Sequence, residues 1–341
     1  MARQINWDFF INPVVQVVLI LVVSLILYLM SANYLSNMHV FDSLPDLKQV
    51  TVNDNNRTKI KTGLFINNFL DFDLIKNEFE VLGVVWFEFN KNEVGLDQLE
   101  QSVFSKGKLA QHANLFGEAR PIISKKDDII YAQYPVRISF TSNLNYKLFP
   151  FDSHRIYMTL NNMHLDHNQF EFITHKNDFM ISRNAATYGW LNVDKHVYHG
   201  SASKYISADR ESGYPRVIYA MDFVRNSFKD ILLLLFPLLV AFFMSIFAFS
   251  YDHRLDRENI LEIGVATVGA IVGYRFVINA SSPKVPYFML IDWLFTLFLM
   301  LGFMVFLLNA FNLFKNYRGL VILALHAILI ASWYSFLYIW G

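Results

Sequence analysis

The sequence predicts a two-part membrane protein: an exported β-sandwich followed by a C-terminal bundle of four transmembrane helices, with an additional transmembrane helix at the N-terminus. Three observations carry that expectation. Five apolar stretches approach or exceed the length of about 20 residues that a helix needs to cross a bilayer. A long polar segment, 31–229, separates the first stretch from the other four. Within that segment, β-branched and aromatic runs alternate with turn residues, the pattern of short strands. Composition agrees. The 341-residue chain is 54% hydrophobic and 17% charged, against roughly 45–50% and 25% in average soluble domains. Its 29 basic and 29 acidic residues cancel, so the basic excess of a nucleic-acid binder and the polybasic patch of a membrane-surface protein are both missing. With no cysteine, disulfides, thiolate nucleophiles and cysteine metal sites are excluded.

The first element, Pro13–Met30, holds no charge and belongs to an N-terminal segment 1–36. Its apolar run exceeds the usual signal-peptide core and no A-x-A site comes after it, which favours a retained signal anchor over a cleaved signal. Either one exports the polar segment behind it. Asn53–Thr58 (NDNNRT) reads as an exposed turn inside the second segment, 37–227. Strands are expected in GLFINNF, EVLGVVWFEF, IIYAQYPVRISF, HRIYMTL, QFEFI and RVIYAMDF, with one helical interlude at Leu96–Phe104. Strands at such spacing suggest a sandwich. The third segment, 228–341, carries the remaining spans: Ile231–Phe249, Ile260–Ala280 with Glu262 and Arg275, Tyr287–Phe314 with Asp292, and Leu320–Trp340 with His326. Pro237 is a potential kink, tolerated in lipid only where neighbours re-satisfy the freed backbone group. Arg254, Arg257, Lys315 and Arg318 fall in the loops on one side and only Lys284 on the other, so the positive-inside rule places the strand-rich segment outside.

Several motifs resemble the pentameric ligand-gated ion channels, the Cys-loop receptor superfamily. Asn145–Leu160 (NYKLFPFDSHRIYMTL) contains the F-P-F-D core of that family's signature loop at Phe149, Pro150, Phe151 and Asp152. Ser142 and Ile156 stand where animal members carry the flanking cysteines, as in bacterial members without the disulfide. Twelve residues separate Arg225 from Pro237, the family's interval between the arginine before its first channel helix and that helix's proline. Ser282–Asp292 (SPKVPYFMLID) is similar to its linker between the second and third channel helices, and Gly63–Phe89 to its first two strands. The resemblance covers about Lys61 to Gly341, in order. It implies an extracellular sandwich on four helices in a homopentamer, placed with its sandwich periplasmic in a bacterial inner membrane. The leading helix is a departure from the family.

Aligned on Pro283, the family's pore helix falls at Glu258–Ala280. At 100° per residue Glu258, Glu262, Ala266, Gly269, Gly273 and Phe276 form one stripe, and these positions match the family's pore-facing set. Five copies of two stacked glutamates would make acidic rings that favour cations. Neighbouring carboxylates some 7 Å apart repel by about 2 kcal/mol at an effective dielectric near 20, which promotes partial protonation or cation binding. The alternative is that Gly269-x-x-x-Gly273 is a helix-packing face and Glu258 a solvated helix start. Where most relatives place a bulky mid-pore gate this chain has Gly269, and Phe276 is the substitute candidate. Arg275 falls on another face, free to snorkel or to pair with an acid.

The resemblance also implies a coupling region: Phe149 to Asp152, Asn68 to Asp73 (with Asp71), and Pro283 to Tyr287 (with Lys284), plus an Asp152–Arg225 ion pair with either a structural or a switching role. Its agonist site lies between subunits. Trp86, Phe87 and Phe89 match the complementary side; Asn162, Met163 and His164 match the principal side; Tyr198, Tyr205 and Tyr214 fall in the capping hairpin. An aromatic box suits an amine, but alternating strand aromatics are more often core, no tryptophan comes after the signature loop, and Trp190 reads as core. His164, Asp166, His167 and His175 invite a zinc reading, but the spacing is loose and surface histidines are the preferred reading, with protonation as a possible trigger. No metal or other cofactor is expected. The expected function is a homopentameric channel in the lipid bilayer that passes cations and is gated by an unidentified small molecule or by protons. The alternative is a non-conducting sensor of the same architecture that signals through the extra helix. No G-x-S-x-G, HExxH or P-loop is present, so no enzyme is expected.

Overall fold

The computed structural model describes residues 7–37, 39–48, 57–105, 107–109, 122–185, 187–207, 210–225, 228–251 and 255–338. Asn53–Asn56 of the expected turn, Arg254 of the basic loop, and Trp340 lie outside them. The chain opens on α1 (Pro13–Asn37). Strands β1 (Thr58–Asp73) and β2 (Glu78–Asn90) come next, then the short helix α2 (Leu96–Leu99). After it stand β3 (Val103–Ser105), β4 (Gly107–Leu109), β5 (Ile122–Lys126), β6 (Ile129–Phe140), β7 (Ser153–Asn161) and β8 (Phe170–Ile173). Beyond β9 (Phe179–Ile181), β10 (Trp190–Ser207) and β11 (Arg210–Arg225) lie the long helices α3 (Phe228–Phe247), α4 (Arg257–Ser281), α5 (Leu290–Ala310) and α6 (Arg318–Tyr338). Contacts divide the chain into a sheet unit, Phe41–Asn145 with Ser153–Asn226, and a helical unit, Met1–Val40 with Tyr146–Asp152 and Ser227–Gly341.

The sheet unit has two sheets. One runs β4-β6-β2-β1-β8, with β5 also on β6 and β9 on β1; the other runs β10-β11-β7-β3. The β1–β2 and β2–β6 pairs are antiparallel. In β2, Phe79, Val81, Val85, Phe87 and Phe89 alternate into the core with less buried residues between them, the period-2 signature of a strand with one face buried. They meet Ile156, Met158 and Leu160 of β7 and Val217, Tyr219, Met221 and Phe223 of β11 in one apolar cluster. The helical interlude expected at Leu96–Phe104 shrinks to α2, because Val103–Ser105 pairs with β7 instead. β10 matches none of the strand runs read from composition, although the resemblance implied a hairpin around Tyr198, Tyr205 and Tyr214, which β10 and β11 form. The β10 sequence (WLNVDKHVYHGSASKYIS) lacks a clean alternation, and it owes its strand form to sixteen paired positions along β11. The outer face of its sheet is also covered: Tyr157, Ile218 and Ala220 pack against Leu44 and Leu47. There the backbone of Lys48 bridges Ser201, and a Cβ at Gly200 would stand 2.6 Å from the Lys48 carbonyl.

In the helical unit, α1, Ile231–Ser250, α4, α5 and Lys315–Tyr338 are long and apolar enough to cross a membrane. α3 continues through Pro237. A proline removes the hydrogen bond to the carbonyl four residues earlier, here Leu233, and that carbonyl instead accepts the hydroxyl of Tyr274 on α4 at 3.1 Å. The expected Tyr287–Phe314 span is trimmed at both ends, α5 beginning at Leu290 and stopping at Ala310. Asn312 and Phe314 adopt left-handed backbone (φ 50° and 55°), and Asn312 accepts Arg318 Nη2 at 2.9 Å.

Candidate functional site: the open face of α4

α4 buries one side only. Ile260, Gly264, Thr267, Ile271 and Ile278 are enclosed, and Gly264 and Ile271 approach Phe306 and Gly302 of α5. The stripe Glu258, Glu262, Ala266, Gly269, Gly273 and Phe276 lies on the open side, every member exposed. Phe276 is 78% exposed. A Cβ built at Gly269 or Gly273 would find no atom within 4 Å, so neither glycine is a packing contact inside this chain. Arg275 points elsewhere: its Nη1 donates to Asp292 Oδ1 of α5 at 2.6 Å, and its guanidinium lies 5.2 Å from the Phe295 ring. This basic group, in the C-terminal third of α4, is thereby engaged within its own chain, away from the acidic stripe.

The start of α5 receives the FPFD turn. The first amides of a helix have no partner within it. Here Leu290 N donates to Lys147 O at 2.7 Å and Ile291 N to Phe149 O at 3.1 Å. Asp292 Oδ2 accepts Met289 N at 2.9 Å, completing the cap. Tyr287 Oη accepts Tyr146 N at 3.0 Å. The Phe149–Pro150 peptide is cis, and Phe149, Phe151 and Asp152 are all buried. Pro283 is buried and Lys284 exposed in the α4–α5 linker. The motif and the linker that the resemblance assigned to coupling thus share one hydrogen-bonded assembly in the helical unit.

In the sheet unit, Asn68 and Asp71 lie exposed on β1, beside the register shifts of its pairing with β2. Asn77, in the hairpin turn at φ 57°, has its carboxamide paired with both the N–H and the C=O of Ser142. Arg225, the last residue of β11, stacks its guanidinium 4.5 Å from the Trp190 ring. Sequence reading missed the polar cluster nearby, because its members are far apart in sequence and only strand pairing joins them. Buried Asp42 accepts His154 Nδ1 at 3.0 Å and the amides of Asn145 (2.6 Å) and Arg155 (3.0 Å). Buried Asp222 grips Arg155 through two bonds, 2.6 and 2.7 Å, and His196 at 3.1 Å. The Asp222 carboxylate raises the Arg155 pKa above its ordinary value, against the opposing effect of burial.

The aromatic residues do not form one box within a chain. Phe87 and Phe89 are each 2% exposed and belong to the inter-sheet core, which takes both rings out of reach of a ligand at the surface. Trp86 points the opposite way, against Tyr131 (5.5 Å) and under Lys61 (5.4 Å). Tyr198 lies on the outer face of the other sheet, stacked with His196. Trp86 and Tyr198 therefore face away from each other across the sandwich. Tyr214 is buried, its hydroxyl accepting Arg216 Nη2 at 2.9 Å; Tyr205 lies on β10. Met163 and His164 are exposed, whereas Asn162 is buried and donates to Gln98 O at 2.7 Å. His167 packs where a Cβ at Gly213 would fall, and His175 pairs with Asp178 at 3.3 Å. Among the described residues, no three histidine or carboxylate groups converge as a metal site.

No known protein-family model matches the chain, and no curated protein matches it significantly.

Proposed function

We propose that this chain is the subunit of a cation-passing channel of the pentameric ligand-gated class, gated by a small molecule or by protons, with α4 lining the pore. The open face of α4 is the observation that carries the reading. It exposes two glutamates, an alanine and two glycines in a span whose composition and length suit lipid. A glutamate facing hydrocarbon costs about 2.5–3.5 kcal/mol, so a water-filled axis shared by several copies is its economical environment. The capping of α5 by the FPFD turn supports a route by which that motif acts on the α4–α5 linker. The Asp152–Arg225 ion pair, the periplasmic placement of the sheet unit, the inner membrane and the fivefold assembly belong to the same proposal. An agonist site that used both Trp86 and Tyr198 would need them from different copies, since these two face apart within one chain.

Recording from the purified protein in planar bilayers tests the reading. The expected result is a pH- or ligand-evoked cation current whose selectivity falls in Glu262→Gln. Silence across a broad panel of amines, amino acids and pH values would instead favour the second reading, a non-conducting sensor of the same build. The specific observation behind that alternative is the docking of α1 on the FPFD turn and α6.

A further inference from the structure

α1 is extra to the channel architecture proposed above, and it is not a loose tether. Its enclosed residues, Gln16, Val23, Leu27, Ser31 and Tyr34, recur at helical spacing and define one inner face, while Val14, Val18, Leu21, Leu25 and Leu29 stay more than half exposed on the other. The two ends of that inner face do different work. At the N-terminal end, Ser250 Oγ donates to Ile11 O at 3.0 Å, and Gly319 at the start of α6 lies so close to the Trp7 carbonyl that a Cβ would overlap it.

At the C-terminal end the contacts are polar and aromatic. Ser31, 2% exposed, donates its hydroxyl to Leu27 O at 2.9 Å and accepts Trp333 Nε1 of α6 at 3.0 Å. Tyr338 of α6 donates to Met30 O at 3.3 Å and accepts Asn33 Nδ2 at 2.9 Å. A buried indole needs such a partner in an apolar medium, and α1 supplies one to Trp333 and others to the part-buried Tyr338. One turn beyond Ser31, Tyr34 is 1% exposed. Its ring meets Phe151 edge-on at 6.3 Å and Tyr338 at 6.1 Å, while Phe151 also meets Trp333 at 6.5 Å. Phe151 is thus enclosed by one aromatic from α1 and one from α6. The same turn supplies the Lys147 and Phe149 carbonyls that cap α5.

We propose that α1 is a working part of the coupling apparatus and that Tyr34 is its positioning residue, holding Phe151 so that the FPFD turn stays seated on the first amides of α5. The gating consequence rests on the channel reading; the positioning itself does not. An edge-on ring contact needs the ring and not the hydroxyl, so Tyr34→Phe is the conservative control.

The test is amide hydrogen exchange on the full-length protein in nanodiscs, read at residues 290–291 against the middle of α5. Tyr34→Ala is expected to speed exchange at Leu290 and Ile291 at least tenfold with the mid-helix amides unchanged, and Tyr34→Phe to match the wild type. A purely structural role would accelerate both regions together. If Tyr34→Ala does not assemble, Ser31→Ala, which removes the Trp333 partner and keeps the ring, should give a smaller acceleration, about threefold, at the same two amides. Unchanged exchange there in a folded variant overturns the proposal, as does an intact mass showing that the mature protein lacks α1. Proton-evoked thallium flux into liposomes is measured in parallel, with a pH step from 8 to 5. A shift of the half-activating proton concentration in Tyr34→Ala, rescued in Tyr34→Phe, extends the proposal to gating, and an unshifted response in a conducting Tyr34→Ala rejects that extension. A silent wild type would count against proton gating, while the exchange result would still decide the role of Tyr34.

Discussion

α1 and α4 are the two most open helices of the chain: each has 22% of its most apolar window buried. Their open faces nevertheless differ. α1 shows Val14, Val18, Leu21, Leu25 and Leu29, a surface that hydrocarbon solvates at no cost. α4 shows Glu258 and Glu262, which hydrocarbon solvates badly, together with Ala266, Gly269, Gly273 and the apolar Val265, Val272 and Phe276. Exposure in a single chain therefore has two meanings. On α1 it leaves an apolar surface; on α4 it leaves the glutamate-bearing stripe on which the proposed pore reading rests.

Three experiments press on that difference. The largest effect is expected from Leu21→Arg, which places a cation on the outward apolar face of α1; a cation at a helix centre costs about 2.5–3.5 kcal/mol to insert into a bilayer, so a clear fall in melting temperature in nanodiscs is expected. Gly269→Asn should stay within about 0.5 kcal/mol of wild type in the same thermal unfolding assay, as at other unconstrained surface positions. Equal losses at both positions would break the distinction between the two faces. A smaller effect sharpens what α4 faces. Gly269→Ala and Gly273→Ala each improve helix propensity by about 0.5–1 kcal/mol, so a wet face predicts slightly raised melting temperatures and an intact oligomer by native mass spectrometry. A helix-packing face predicts loss of the oligomer instead, because the added methyl would keep the copies apart.

The smallest effect is a control in the sheet unit. Arg137, hydrogen-bonded to Glu80, lowers the pKa of that carboxyl. A carboxylate whose pKa is lower folded than unfolded stabilises the fold above the unfolded value, near 4.3, and that contribution is lost as the pH falls through the folded value. The pair is partly open to solvent, so the expected loss is below about 1 kcal/mol and should vanish in Glu80→Gln. Melting curves between pH 6 and 3 measure it.

Much of this was legible in the chain itself. β-branched and aromatic content bounded by turn residues marked β2, β6 and β7; β2 also shows the alternation of a strand with one buried face, whereas β7 is buried on both. The five long apolar helices were legible because about 20 predominantly apolar residues in a row stand out even where, as in α4 and α5, they include Glu262, Arg275 or Asp292. The α4 stripe came from arithmetic at 100° per residue. Other features were not legible. β10 is held by its partner β11 and by the cover at Leu44 and Leu47, neither of which its own residues announce. Phe87 and Phe89 carried the same aromatic label as Trp86, and only the pleat separated core from surface.

What the sequence determined by itself was the division of the chain into a polar, strand-rich segment and helices long and apolar enough to cross a membrane, since that depends on the transfer free energy of each residue and on regular local geometry. What the tertiary structure decided was which polar groups complete one another: Tyr274 with the carbonyl freed by Pro237, Arg275 with Asp292, the FPFD turn with the amides of α5, and Tyr34 with Phe151. Those pairings join residues from 17 to more than 100 positions apart. A hydrogen bond or ring contact depends on distances of a few ångströms, which no local pattern encodes.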